Sequence, residues 1–155
     1  SEADTRRLTQ DKITIRLVKG AYKEPPEKAF PSKADVDANY DLLTKILIDA
    51  SLVNQTKLSD DGRFPPIPGI ASHDEKRIAF AKQYAEKVGL PKDGLEFQML
   101  YGIRRDLQEK LVKEGYPVRV YVPFGRQWFP YFMRRLGERP ANVTFVIRGI
   151  FGERG

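Results

Sequence analysis

The sequence predicts an α/β protein with a parallel sheet, and more narrowly half of a (β/α)8 barrel. Short apolar runs near 13–18, 67–71, 95–100 and 117–122 alternate with longer stretches whose apolar residues keep helical spacing. That alternation is the mark of βα units and a parallel sheet. Polar side chains crowd the exits of the runs: Lys19 and Tyr22, Ser72 and His73, Gln98 and Tyr101, Tyr121. Strand exits are where α/β proteins bind their ligands. Four parallel strands leave two open edges, whereas a closed barrel needs about eight strands, so the count matches half a barrel.

Each element has its own warrant. Ser1 to Leu8 reads as the tail of a helix, with Arg6 and Arg7 suited to its C-terminal end. Ile13 to Val18 is the first strand, and Pro25, Pro26 and Pro31 then exclude regular structure until about Ser32. Ser32 with Asp35 starts a helix that carries Val36, Tyr40, Leu43, Leu47 and Ala50 on one stripe to about Leu52. Residues 54–66 form a loop, long for a compact α/β unit and read as an insertion. In the strand over 67–71, Pro68 fits only at the first position or at an edge.

Ser72 and Glu75 have capping-box spacing, and Ile78, Ala81, Ala85 and Val88 line the helix that follows to Gly89. Leu95 to Leu100 is a strand, Asp106 to Glu114 a helix and Pro117 to Val122 the fourth strand. A last helix runs roughly from Gln127 to Leu136, and 142–147 reads as a strand-like docked tail.

Composition limits the chemistry. The 155 residues are 41% apolar and 31% charged, as in an ordinary soluble domain, and hold no long uncharged apolar run. Ser1 stands where an initiator methionine would, which reads as processing or as a piece of a longer chain. With no cysteine there is no disulfide, thiolate nucleophile or Cys-ligated metal, and a reducing compartment is expected. His73 is the only histidine and has no carboxylate at ligand spacing, so no metal site is expected. There is no Ser-His-Asp set, no Walker loop and no G-x-G-x-x-G. The 27 Lys+Arg against 21 Asp+Glu give a net charge of +6, but the cations are scattered, which argues against nucleic acid.

Several positions carry candidate chemistry. Tyr131, Arg134, Arg135 and Glu138 share a helix face, and two guanidinium groups beside a phenol suit a small carboxylate. Taken alone, the spacing is read more readily as a solvated face with an Arg134–Glu138 pair. Arg16, within an apolar strand, either needs a buried partner or points outward at an edge. Lys19-Gly20-Ala21 can set a cation and a backbone N–H against an anion, or be a generic turn. His73 is a helix-start residue, or part of a phosphate site at a helix N-terminus.

Five segments in order turn these alternatives into one reading. Arg16-Leu-Val-Lys-Gly-Ala-Tyr-Lys-Glu-Pro25, Ala71-Ser-His-Asp74, Leu95-Glu-Phe-Gln-Met-Leu-Tyr-Gly-Ile103, Val118-Arg-Val-Tyr-Val-Pro-Phe-Gly125 and Tyr131-Phe-Met-Arg-Arg-Leu-Gly-Glu-Arg-Pro-Ala-Asn142 together resemble proline dehydrogenase of the monofunctional bacterial type. The resemblance runs over nearly the whole chain.

It implies the second half of a (β/α)8 barrel, about four βα units and the final helix, with FAD at the C-terminal ends of the strands. It implies oxidation of L-proline to Δ1-pyrroline-5-carboxylate, by hydride transfer from proline C5 to flavin N5 and on to a quinone. Arg16 would lie by N5, the Lys19-Gly20-Ala21 backbone on FAD, and Ser72 and His73 at its phosphate and ribose. Tyr22 would sit near substrate, Tyr121 and Tyr131 would wall the proline site, Arg134 and Arg135 would grip the carboxylate, and Glu138 would support them or the cofactor. The family's earlier half supplies the rest of the flavin pocket. Partnership with that half, or self-association through the open edges, is therefore expected, as is a cytoplasmic protein peripheral to the inner face of the membrane. A barrel fragment holding a phosphorylated ligand through Lys19-Gly20 and the His73 turn, or a basic non-catalytic module, are the alternatives.

Overall fold

The computed structural model describes residues 1–20, 25 and 27–125. The expectations for Ala21, Tyr22, the helix bearing Tyr131, Arg134, Arg135 and Glu138, and the 142–147 tail lie outside the described residues.

Helix α1 (Glu2–Gln10) is followed by β1 (Ile15–Val18), α2 (Lys33–Asn54), β2 (Pro68–Ala71), α3 (Glu75–Val88), β3 (Glu96–Leu100), α4 (Arg105–Lys113) and β4 (Val118–Tyr121). The sheet order is β1-β2-β3-β4, and every neighbouring pair is parallel. Sequential order belongs to a barrel, because a doubly wound sheet reverses its order partway. The described strands form half of one.

Register sets which residues share a face. Leu17, Ile70, Phe97 and Val118 lie in one row across all four strands. This row packs against Leu43 and Leu47 of α2, Ile78, Ala81 and Ala85 of α3, and Leu107 and Leu111 of α4 in a single core. Phe97 meets the Tyr116 ring edge-on at 5.3 Å between centroids. Burial of this stripe is the main driving force for the layer. Pro68 opens a strand that is paired on both sides, and takes the one place there that its missing N–H permits.

Two helix starts depart from expectation. The cap of α3 is Asp74, not Ser72: Asp74 Oδ1 accepts from the Lys76 N–H at 3.0 Å. Ser72 Oγ instead accepts from the Asp74 N–H at 3.0 Å, so His73 lies in the turn before the helix. The Asp74 carboxylate serves two partners at once, its second oxygen also holding Lys19 at 2.8 Å. Helix α4 begins after Arg104, which adopts φ 53. That left-handed backbone costs energy in a residue with a Cβ, and ion pairs of Arg104 to Asp106 (2.8 Å) and Glu75 offset it.

The connection after α2 is tied to the base of the sheet. Leu58 N–H donates to Asp93 O at 2.8 Å, Thr14 Oγ1 to Pro65 O at 3.1 Å and Arg119 Nη2 to Gly62 O at 3.0 Å. Among the described residues no helix is long and apolar enough to cross a membrane.

Candidate functional site

The side chains that alternate with the core row point to the other face of the sheet. Arg16 and Val18 of β1, Gly69 and Ala71 of β2, Glu96 and Gln98 of β3, and Arg119 and Tyr121 of β4 lie there. Strands are about 4.8 Å apart, so β1 and β4 would stand about 14 Å apart in a flat sheet. The Arg16 guanidinium nevertheless lies 5.9 Å from the centroid of the Tyr121 ring. Curl of the sheet and two long side chains reaching over small residues close that gap. The result is a cation over an aromatic face at the mouth of the half barrel. Arg16 is exposed, as the outward reading has it, but toward this inner face.

Small residues keep the floor low. A Cβ on Gly69 would come within 2.8 Å of Gln98 Nε2, so any larger residue at this step displaces the Gln98 amide. A Cβ on Gly20 would meet no described atom within 4 Å.

An ionic network holds the rim where β1 and β2 end. The Lys19 ammonium is bonded to Asp37 of α2 and, at 2.8 Å, to Asp74. Lys19 and then Lys33 hold the Asp37 carboxyl down at about 2. Lys19 also stands 5.7 Å over the Tyr40 ring. The Tyr40 hydroxyl bridges the carbonyls of Leu17 (3.2 Å) and Ala71 (3.3 Å), pinning α2 across two strand ends. Burial pushes that phenol well above its ordinary range. With two carboxylates on it, the Lys19 ammonium has no lone role as an anion receptor, and the turn offers its backbone instead.

His73 closes the neighbouring exit. Its Nε2 accepts the Leu100 backbone N–H at 3.0 Å, so the neutral ring carries its proton on Nδ1. Lower on the inner face, Glu96 takes Arg119 Nε and Nη2 on its two oxygens, each at 2.8 Å, and Gln98 Nε2 at 2.8 Å.

Residues 2–148 match the family model described as proline dehydrogenase. This chain belongs to the proline dehydrogenase family. Proline dehydrogenase 2 of Bacillus subtilis (strain 168) is 50% identical over 136 residues, 88% of this chain and 40% of that protein. The proline dehydrogenase of Deinococcus radiodurans is 46% identical over 150 residues, 97% of this chain and 44% of that protein. A crystal structure of proline utilization A (PutA) from Bdellovibrio bacteriovorus, inactivated by N-propargylglycine, is similar with a TM-score of 0.74 and 33% identity. It covers 99% of this chain and 16% of that one. The chain thus spans less than half the length of these relatives.

Of the residues singled out in the sequence, the fold brings Arg16 and Tyr121 into contact and sets Lys19, Gly20, Ser72 and His73 at strand exits on the same side. Asp37, Asp74, Glu96 and Arg119 escaped the sequence reading. Glu96 and Arg119 had left a signal, a charge in each of two apolar strands, but their pairing needs the register.

Proposed function

We propose that this chain forms the second half of a FAD-dependent proline dehydrogenase barrel that oxidises L-proline to Δ1-pyrroline-5-carboxylate and delivers the electrons to a quinone. The observation that carries this is the Arg16–Tyr121 pair over a low floor, on the same side as the Gly20 and His73 turns.

The inner face suits a flavin. Gly69 and Ala71 are small residues beneath Arg16 and Tyr121, where larger ones would fill a barrel, and the Gln98 amide lies over Gly69. The Gly20 backbone, the Ser72 hydroxyl and the His73 ring would donate to phosphate and ribose together with the Lys19 backbone, and Ala21, beyond the described residues, would add its own. Bound flavin would supply the hydride acceptor. Arg16 places positive charge where negative charge develops, and Tyr121 shields the site from water. Beyond the described residues, Tyr22 and Tyr131 would complete the wall, Arg134 and Arg135 would hold the carboxylate, and Glu138 would support them.

Among the described strands β1 and β4 each pair on one side, so the complementary half of the barrel is the natural partner. A cytoplasmic protein peripheral to the membrane would reach a quinone. Co-production of this chain with that half, followed by a visible spectrum, tests the reading. The assembly should retain flavin, and the chain alone should retain little. An assembled barrel without flavin overturns the function, and an isolated monomer with stoichiometric flavin and proline turnover overturns its incompleteness.

A further inference from the structure

Glu96 is a carboxylate at 2% exposure in the middle of a parallel sheet. A buried charge persists only where its lone pairs are met, and here three donors meet them. Arg119 Nε and Nη2 grip both oxygens, and Gln98 Nε2 adds a third bond. Because an ionised carboxylate only accepts, it fixes the Gln98 amide with its nitrogen toward Glu96. Gly69 leaves the amide room in that orientation, since a Cβ there would lie 2.8 Å from Gln98 Nε2. The Gln98 oxygen receives no hydrogen bond from the described residues and, as part of a half-buried side chain, faces the inner side of the sheet.

Arg119 has a second attachment. Its Nη2 also donates to the carbonyls of Gly62 (3.0 Å) and Arg63 (3.4 Å), at the tip of the connection between α2 and β2. One guanidinium therefore joins that loop to the floor of the site.

We propose that Glu96 and Arg119 are positioning residues that lock the Gln98 amide with its oxygen presented on the inner face, as an acceptor for an N–H donor bound there. Through Arg119 the 59–64 loop braces that orientation. The donor is either the ring N–H of the cofactor or the ammonium of the substrate. This rests on the functional reading above only for the identity of that donor.

A double-mutant cycle in the flavin-loaded barrel tests it, reading flavin affinity, KM for proline and Tm. Gln98→Leu removes the acceptor. About tenfold weaker flavin binding identifies the ring as donor, and about tenfold higher KM at unchanged flavin content identifies the substrate. Arg119→Lys keeps the charge but loses the fork, and should move the same constant by about threefold. The double variant should be no worse than Gln98→Leu alone. Additive effects, or an Arg119→Lys protein with a lower Tm and both constants unchanged, overturn the proposal.

A second readout needs no cofactor. In this chain by itself, exchange of the Gln98 side-chain amide protons measured by NMR should be slow, and Arg119→Lys should speed it by about tenfold or more. Slow exchange in a protein that binds neither flavin nor proline would sink the functional reading and leave the lock standing. Fast exchange in the wild type sinks the lock.

Discussion

On one face of the sheet Leu17, Ile70 and Phe97 lie side by side at 8%, 0% and 0% exposure, while on the other Val18 stands 57% exposed next to the exposed Arg16. The two faces come from the same four strands and differ only in which parity of residues they carry. The helix-facing side is a finished core within this chain. The inner side pairs cations with rings and carboxylates and keeps small residues where a barrel interior would be filled. On the function proposed above, stability resides on one face and recognition on the other, and substitutions should divide along that line.

The largest effect belongs to the core row. Phe97→Ala removes a fully buried ring and its edge-on contact with Tyr116, and should destabilise the chain by about 3–5 kcal/mol in denaturant unfolding. Lys19→Met comes next. It leaves Asp37 and Asp74 without their shared cation, and should cost about 1.5–3 kcal/mol by the same measurement, reflecting charge-assisted bonds at a side chain 9% exposed. A core-sized loss there would make the rim network part of the core, and the contrast between the faces would blur.

The pH dependence sharpens the comparison further. Asp37 has a carboxyl at about 2 in the folded protein against an ordinary 3.8, because Lys19 and Lys33 favour its charged form. A depressed pKa means stability that is complete above about pH 4 and lost as the pH falls through the folded value. In Asp37→Asn the acid limb of Tm against pH should be shallower between about pH 4 and 2. An unchanged limb would show that the network does not hold Asp37 in solution.

How much of this was legible in the sequence follows from how far each cause reaches along the chain. Strands and helices were legible because alternation and helical spacing are local, and Ser32 was a true cap because its partner Asp35 is three residues away. The start of α3 was misplaced because Asp74 owes part of its position to Lys19, 55 residues earlier. Arg16 and Tyr121 were candidates from their segments, but their contact depends on the curl of four strands. The Glu96–Arg119 pair, 23 residues apart, was invisible until register set the two strands side by side.

The smallest effect on stability is also the most direct test. Arg16→Ala touches an exposed side chain, so Tm should shift little, by the equivalent of about 0.5 kcal/mol or less. Flavin-to-protein ratio and Tm of that variant, measured side by side in the barrel assembled from this chain and its complementary half, bear on whether the inner face is the binding face. The account predicts a clear loss of bound flavin at an almost unchanged Tm. Full flavin occupancy together with a lowered Tm would contradict it, and would make Arg16 a structural residue.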